Sequence, residues 1–182
     1  MKNLTLFVMA VCLFSSVANA QNYYTKNGRI SFFSKTSMEN IDAVNNQVVS
    51  VINMTTGDVG FSVLINGFLF KKALMQEHFN ENYMESTKYP KAIFKGKSAD
   101  LTKVTAGKDG TYPITVSGDL TMHGITNKIS APATITVKGG KISGSATFKV
   151  LLADYKISIP KVVENNISKT IEIKVDCNYD PR

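Results

Sequence analysis

His78, His123 and Cys177 are the side chains of this 182-residue chain best suited to metal or nucleophilic chemistry. None has the neighbours that chemistry needs. A metal site gathers His, Cys and carboxylates at ligand spacing, and the two histidines fall on separate elements with no such partner nearby. His123 reads as a turn residue whose ring bonds backbone at a His-Gly corner, and His78 as a helix residue packed beside Phe79. The competing reading is a metal protein or enzyme that brings His78 and His123 together in space. Cys177 sits on the apolar side of its segment without a base in its sequence neighbourhood, the position of a small core residue. Glu77, Glu81 and Glu85 recur every four residues, which on a helix is one solvated stripe. There is no G-x-S-x-G elbow, and Gly139-Gly140 is a hairpin turn rather than a phosphate loop. No catalytic residue, metal ligand or cofactor is therefore expected.

The elements that would position any site are clearer. Tyr112, Ile114, Val116, Gly118, Leu120 and Met122 alternate with Thr115, Ser117, Asp119 and Thr121. Ile129 to Val137, Ile142 to Val150 and Ile171 to Tyr179 repeat the pattern. A period of two places one face of each strand in a core and the other in water. Long strands joined by turns such as Lys138-Gly139-Gly140-Lys141 predict an antiparallel meander that closes into a barrel of about eight strands. A barrel of that size can enclose one small ligand.

The first twenty residues read as a signal peptide: Lys2, an apolar stretch from Leu4 to Val17, and Ala18-Asn19-Ala20 as the cleavage site. The stretch is too short to span a bilayer. The expected domains are 1–20, leader, and 21–182, one barrel domain starting at Gln21. The expected location is periplasmic or secreted. The formal charge of +7 falls to +6 with removal of Lys2. The lysines scatter over outward strand positions such as Lys128, Lys138, Lys141, Lys149 and Lys174. Without a basic run interleaved with aromatics, nucleic acid is not an expected partner. A transient contact with anionic lipid headgroups is compatible with the charge.

Along the chain, Arg29–Lys35 and Val48–Asn53 read as strands, with Met38–Asn46 including a loop. Val59–Phe70 carries apolar residues on both faces and needs cover on both sides. The convincing helix is Lys72–Asn82, with Leu74, Met75, His78 and Phe79 on one side. Ala92–Ala99 starts the next strand. A further strand is expected to carry Tyr155, Ile157 and Ile159, followed by a loop from Pro160 to Asn166.

Two segments carry a family resemblance. His78 to Phe94, HFNENYMESTKYPKAIF, resembles the stretch of YceI-like proteins in which a helix with an aromatic motif leads through Tyr-Pro to a strand with an inward Phe. Gly118-Asp119-Leu120-Thr121-Met122-His123-Gly124-Ile125-Thr126 is similar to that family's G-x-L-t-x-H-G-v-t strand and turn. The resemblance implies an exported, lipocalin-like extended barrel that binds a long amphiphilic chain such as an isoprenoid, a quinone or a fatty amide. It places no catalytic role on this chain.

Small inward residues, Gly118, Gly144, Ala131, Ala133 and Ala146, among Phe, Ile and Val leave room for a ligand or fit a tapering solid core. The expectation is a non-catalytic carrier of a long-chain lipid. Its chain would lie among Phe61, Phe94, Ile114, Val116, Leu120, Ala133, Ile135, Ala146 and Phe148. A solid-core structural module is the remaining alternative.

Overall fold

The structure is a computed structural model that describes residues 22–182. The leader assigned to residues 1–20 lies outside the described residues. Nine strands follow in order: β1 Asn22–Lys35, β2 Asn40–Asn53, β3 Asp58–Leu64, β4 Leu69–Phe70, β5 Lys91–Lys97, β6 Gly110–Met122, β7 Ile125–Lys138, β8 Lys141–Leu151 and β9 Thr170–Pro181. One helix, α1, spans Ala73–His78. No described helix is long and apolar enough to cross a membrane.

The sheet runs β1-β9-β8-β7-β6-β5-β3-β2, and β2 returns to pair with β1, so eight antiparallel strands close on themselves. Closure removes the free edges that an open sheet would present. The short β4 lies beside the start of β2, where Ala43 and Val44 face Phe70 and Leu69. Two hairpins use the turns that fit a right-handed strand twist. His123 and Gly124 join β6 to β7 with φ of 51° and 74°. Gly139 and Gly140 join β7 to β8 with φ of 55° and 74°.

Several sequence readings need correction. The loop in Met38–Asn46 is confined to its start, since Met38 and Glu39 lie between the strands and residues 40–46 belong to β2. The polar run is tolerated because the buried Asn45 is fully used: its Nδ2 donates to the Leu64 carbonyl at 2.8 Å and its Oδ1 accepts from Gln47 N at 2.8 Å. Val59–Phe70 is not one strand. A tight turn at Ile65–Gly67 reverses the side-chain alternation. Ile65 and Phe68 thereby turn inward while Leu64 and Leu69 stay exposed. The helix covers one end of the barrel. The regular helix stops at His78, and Phe79–Tyr83 widens so that Met84 N donates to Phe79 O at 2.9 Å, one residue beyond α spacing. Leu74 points outward and is 60% exposed. No strand carries Tyr155, Ile157 and Ile159; Leu152–Tyr155 is a tight helical turn with irregular chain after it.

One half of the barrel is solid. Ile114, Ile135, Val137, Ile142, Cys177 and Tyr179 fill it, together with Tyr23 and Ile52 from the other wall, and all are buried. Leu101 and Val104, from the segment between β5 and β6, join this core.

Candidate functional site

In the other half the inward side chains do not fill the space. Ile30, Phe32, Phe61, Val116, Ala133, Ala146, Phe148 and Ile173 point inward by strand alternation yet are only partly buried. The exposed area faces a cavity of about 320 Å³. Small-molecule sites run from roughly 300 to 1,000 Å³ and are mostly apolar with a few polar groups. This cavity fits that description.

The walls come from both ends of the sequence. β1 and β9 contribute Ile30, Phe32, Ile171, Ile173 and Val175; β3 and β5 contribute Phe61, Val63, Ala92 and Phe94. β6 to β8 add Val116, Leu120, Met122, Ile129, Ala131, Ala133, Ala146, Phe148 and Val150. Met75, His78, Phe79, Tyr83 and Met84 form the lid. Phe79 packs into a four-ring cluster, with centroids 5.4 Å from Phe32, 5.5 Å from Phe68 and 5.0 Å from Phe70. The widened turn after α1 delivers Phe79, Tyr83 and Met84 together to this face.

Of the residues expected to hold a ligand chain, Phe61, Phe94, Val116, Leu120, Ala133, Ala146 and Phe148 line the cavity. Ile114 and Ile135 do not; both belong to the solid half, each 5% exposed. Alternation identifies the inward face but not the depth at which packing closes. The small residues divide the same way. Ala131, Ala133 and Ala146 border the cavity. Gly118 does not make space, because a Cβ there would meet the Lys95 carbonyl and Gly96 Cα of the adjoining strand. The room beside Gly144 is taken by the Tyr179 ring, 3.2 Å from where its Cβ would be.

Sequence reasoning expected the helix or loops to supply polar groups at the mouth but did not name them. Ser34, Glu39, His78, Tyr83 and Asn166 are the polar residues of the lining. Glu39 joins three segments there. Lys72 Nζ, just before α1, donates to its Oε1 at 3.1 Å, and Asn166 Nδ2, from the β8–β9 connection, donates to its Oε2 at 3.3 Å. These bonds, the Asn166 amide first and Lys72 second, hold the Glu39 carboxyl below its ordinary range. Its charge is thereby answered, and the mouth offers no unpaired carboxylate. Burial pushes the Tyr83 phenol up, so Tyr83 stays a neutral hydroxyl. The three segments lie far apart in sequence, and no local spacing signals their meeting.

His123 is not a metal ligand in this arrangement. Its Nδ1 lies 2.9 Å from the Tyr155 carbonyl and its Nε2 lies 2.8 Å from Glu85 Oε2, so both ring nitrogens are occupied. The backbone bond matches the sequence reading. The Glu85 bond corrects it, since Glu85 is no part of a solvated helical stripe but lies beyond the helix with φ of 44°. His78 is exposed at the cavity rim. Among the described residues, no group of three or more His, Cys, Asp or Glu could hold a metal ion. Cys177 is buried among core side chains, and burial pushes its thiol up to about 11.

A closed antiparallel barrel that keeps an apolar cavity beneath a helical lid is a lipocalin-like calyx. The chain belongs to the YceI-like family, whose domain matches residues 15–179. Solved structures share the fold. A polyisoprenoid-binding domain from Saccharophagus degradans, implicated in plant cell wall breakdown, is 17% identical, with a TM-score of 0.77 over 90% of this chain and 99% of that one. BcnA of Burkholderia cenocepacia is 14% identical, with a TM-score of 0.64 over 84% and 96%. The YceI protein of Campylobacter jejuni is 18% identical, with a TM-score of 0.53 over 80% and 83%. No curated protein sequence matches the chain.

Proposed function

We propose that this protein is an exported, non-catalytic carrier that sequesters a long-chain apolar ligand, an isoprenoid, quinone or fatty-acid-like lipid, inside its barrel. The observation that carries the reading is the cavity itself: inward side chains of eight strands leave an apolar space of about 320 Å³ unfilled. An unfilled apolar space has a cost in lost packing. A ligand chain would remove that cost and bury its own methylenes. Ten methylenes at ~0.8 kcal/mol each give roughly 8 kcal/mol, within the ~4–15 kcal/mol lost on association. Short chains would therefore bind poorly and long ones well. Because methylenes discriminate weakly, specificity would rest on the mouth. The chain would lie against Phe61, Phe94, Val116, Leu120, Ala133, Ala146 and Phe148, and the headgroup near Glu39, His78, Tyr83 and Asn166.

Polyisoprenoid binding by the Saccharophagus degradans domain supports the ligand class. The leader motif ending at Ala20 supports export to the periplasm or beyond. The test is mass spectrometry of an organic extract from protein purified from its native host without detergent. One long-chain lipid near stoichiometric amount is expected. An extract empty of lipid, with no uptake of added long-chain lipid by the protein, would contradict the proposal. N-terminal sequencing of the same sample checks export, with Gln21 expected as the first residue.

A further inference from the structure

The barrel is closed in topology but not equally sealed by backbone hydrogen bonds. β6 and β7 pair along their whole length, from Gly110–Val137 to Met122–Ile125. β8 and β9 do the same from Ile142–Tyr179 to Leu151–Thr170. Between these two strand pairs the ladder runs only from Lys138–Lys141 to Ala133–Ala146 and then stops. Continued in register, Pro132 would face Thr147, Ser130 would face Lys149, and Lys128 would face Leu151. None of these pairs forms. Pro132 begins the gap and has no N–H to give a ladder.

The other interruptions in the wall are sealed: the β1–β9 break between Tyr24 and Arg29 lies against the buried Cys177 of the solid half. Between β2 and the β3–β4 turn, the buried Asn45 amide bonds the Leu64 carbonyl. Beyond the end of β5, the segment that follows brings the fully buried Leu101 against the core. Along Lys128–Pro132 and Thr147–Leu151 no described side-chain hydrogen bond crosses. Only the outer end is tied, by Asn127 Nδ2 donating to the Asp154 carbonyl at 2.7 Å. The result is a window bounded by Ala133–Ala146 at one end and by the Leu152–Tyr155 turn at the other. Apolar side chains of Ile129, Ala131, Phe148 and Val150 close it from within, and all four line the cavity. At the inner end the wall is thin: a depression on the outer surface shares Ala133, Ala146 and Val175 with the cavity.

We infer that the β7–β8 window is a lateral gate through which the ligand's chain enters and leaves the barrel. This rests on the carrier reading above. Strands can part there by side-chain rotation and a small hinge at Ala133–Ala146, with no ladder hydrogen bond broken. Passage through the mouth would instead break the Glu39 bonds to Lys72 and Asn166 and dislodge the Phe79 ring cluster. Tail-first entry through the window keeps the headgroup out of the apolar interior, and release of the Asn127–Asp154 tie then lets it reach the mouth.

The test ties the window shut. Ser130→Cys and Lys149→Cys, both at exposed positions, are introduced with Cys177→Ala and joined by a short bismaleimide containing a reducible disulfide. The probe is a pyrene-labelled hexadecyl alcohol exchanged between protein and neutral phospholipid vesicles. The tie is expected to slow exchange at least tenfold and reduction to restore it. The same linker between Met38→Cys and Val162→Cys, at the exposed rim of the mouth, is expected to change exchange less than twofold. Exchange that is slowed by the mouth tie and indifferent to the window tie would overturn the gate and leave the carrier intact. Failure of the unlinked variants and the native protein to take up the probe would overturn both.

Discussion

His123 Nε2 lies 2.8 Å from Glu85 Oε2 across the junction between the β6–β7 hairpin and the lid. The other ring nitrogen meets the Tyr155 carbonyl, so one imidazole ties the lid loop and the Leu152–Tyr155 turn to the same hairpin. Both His123 and Glu85 take positive φ, a conformation held here by the contacts around them.

His123→Ala is expected to lower stability by about 1–3 kcal/mol, because a buried carbonyl and a half-exposed carboxylate lose their donor together. Urea unfolding measures this. Glu85→Gln keeps an acceptor and is expected to cost less than half as much. Equal losses for the two variants would show that the Glu85 carboxylate carries the whole effect and that the bond to the Tyr155 carbonyl adds nothing.

Gly124 follows His123 with φ of 74°, and a Cβ there would stand 2.6 Å from the Tyr89 ring. Gly124→Ala therefore combines a strained turn with a collision and is expected to cost about 1–3 kcal/mol. A change below about 0.5 kcal/mol in the same assay would contradict the geometry.

At the mouth, the bonds to Glu39 hold its carboxyl below the ordinary range, led by Asn166. A depressed pKa gives a contribution that is present above the ordinary carboxylate range and lost as pH falls through the lowered value. Loosening of the mouth is thus expected only on the acid side of that range. Amide exchange of residues 36–39 and 160–167 followed against pH should show it. In Glu39→Gln the acid-side change should vanish, and its persistence would assign it to another group.

Burial raises the Cys177 thiol from 9.0 to about 11. The thiolate is the reactive form, so alkylation at pH 8 is expected to be at least about a hundredfold slower in the native protein than after unfolding. Fast native labelling would place the last strand in a more open setting than the one described.

The cavity-lining Ala133 and Ala146 face each other across β7 and β8. Overpacking a dense core costs ~1–3 kcal/mol, whereas filling open space costs little. Ala133→Phe and Ala146→Phe are expected to keep a near-normal melting temperature and lose at least tenfold in retention of a long-chain lipid. A large fall in melting temperature with unchanged retention would mean that the space is not where the ligand sits.

Much of the barrel was legible because period-two alternation survives wherever one face is wet and one is dry. β6 to β9 needed nothing more. The start of β2 was not legible, since Asn40, Asn45 and Asn46 are poor strand formers and the strand depends on a bond from Asn45 to Leu64, nineteen residues away. The reversal at Ile65–Gly67 escaped for a related reason: an unbroken apolar run hides a turn that only the tertiary fold imposes. In the site, alternation put Phe61, Val116, Ala133, Ala146 and Phe148 on the inner face. It could not separate them from Ile114 and Ile135, whose burial depends on how far the Tyr179 ring and Leu101 reach. The Glu39 cluster joins three segments far apart in sequence and leaves no local pattern.

In a carrier, the ligand chain lies inside the barrel. Isotope-filtered nuclear Overhauser measurements on protein loaded with a long-chain isoprenoid alcohol test it most directly. Contacts are expected from the chain's methyl and methylene protons to the methyl groups of Val116, Ala131, Ala133, Ala146 and Ile173. Contacts confined to outward residues such as Leu64, Leu69 or Val162, with none to these five, would contradict it.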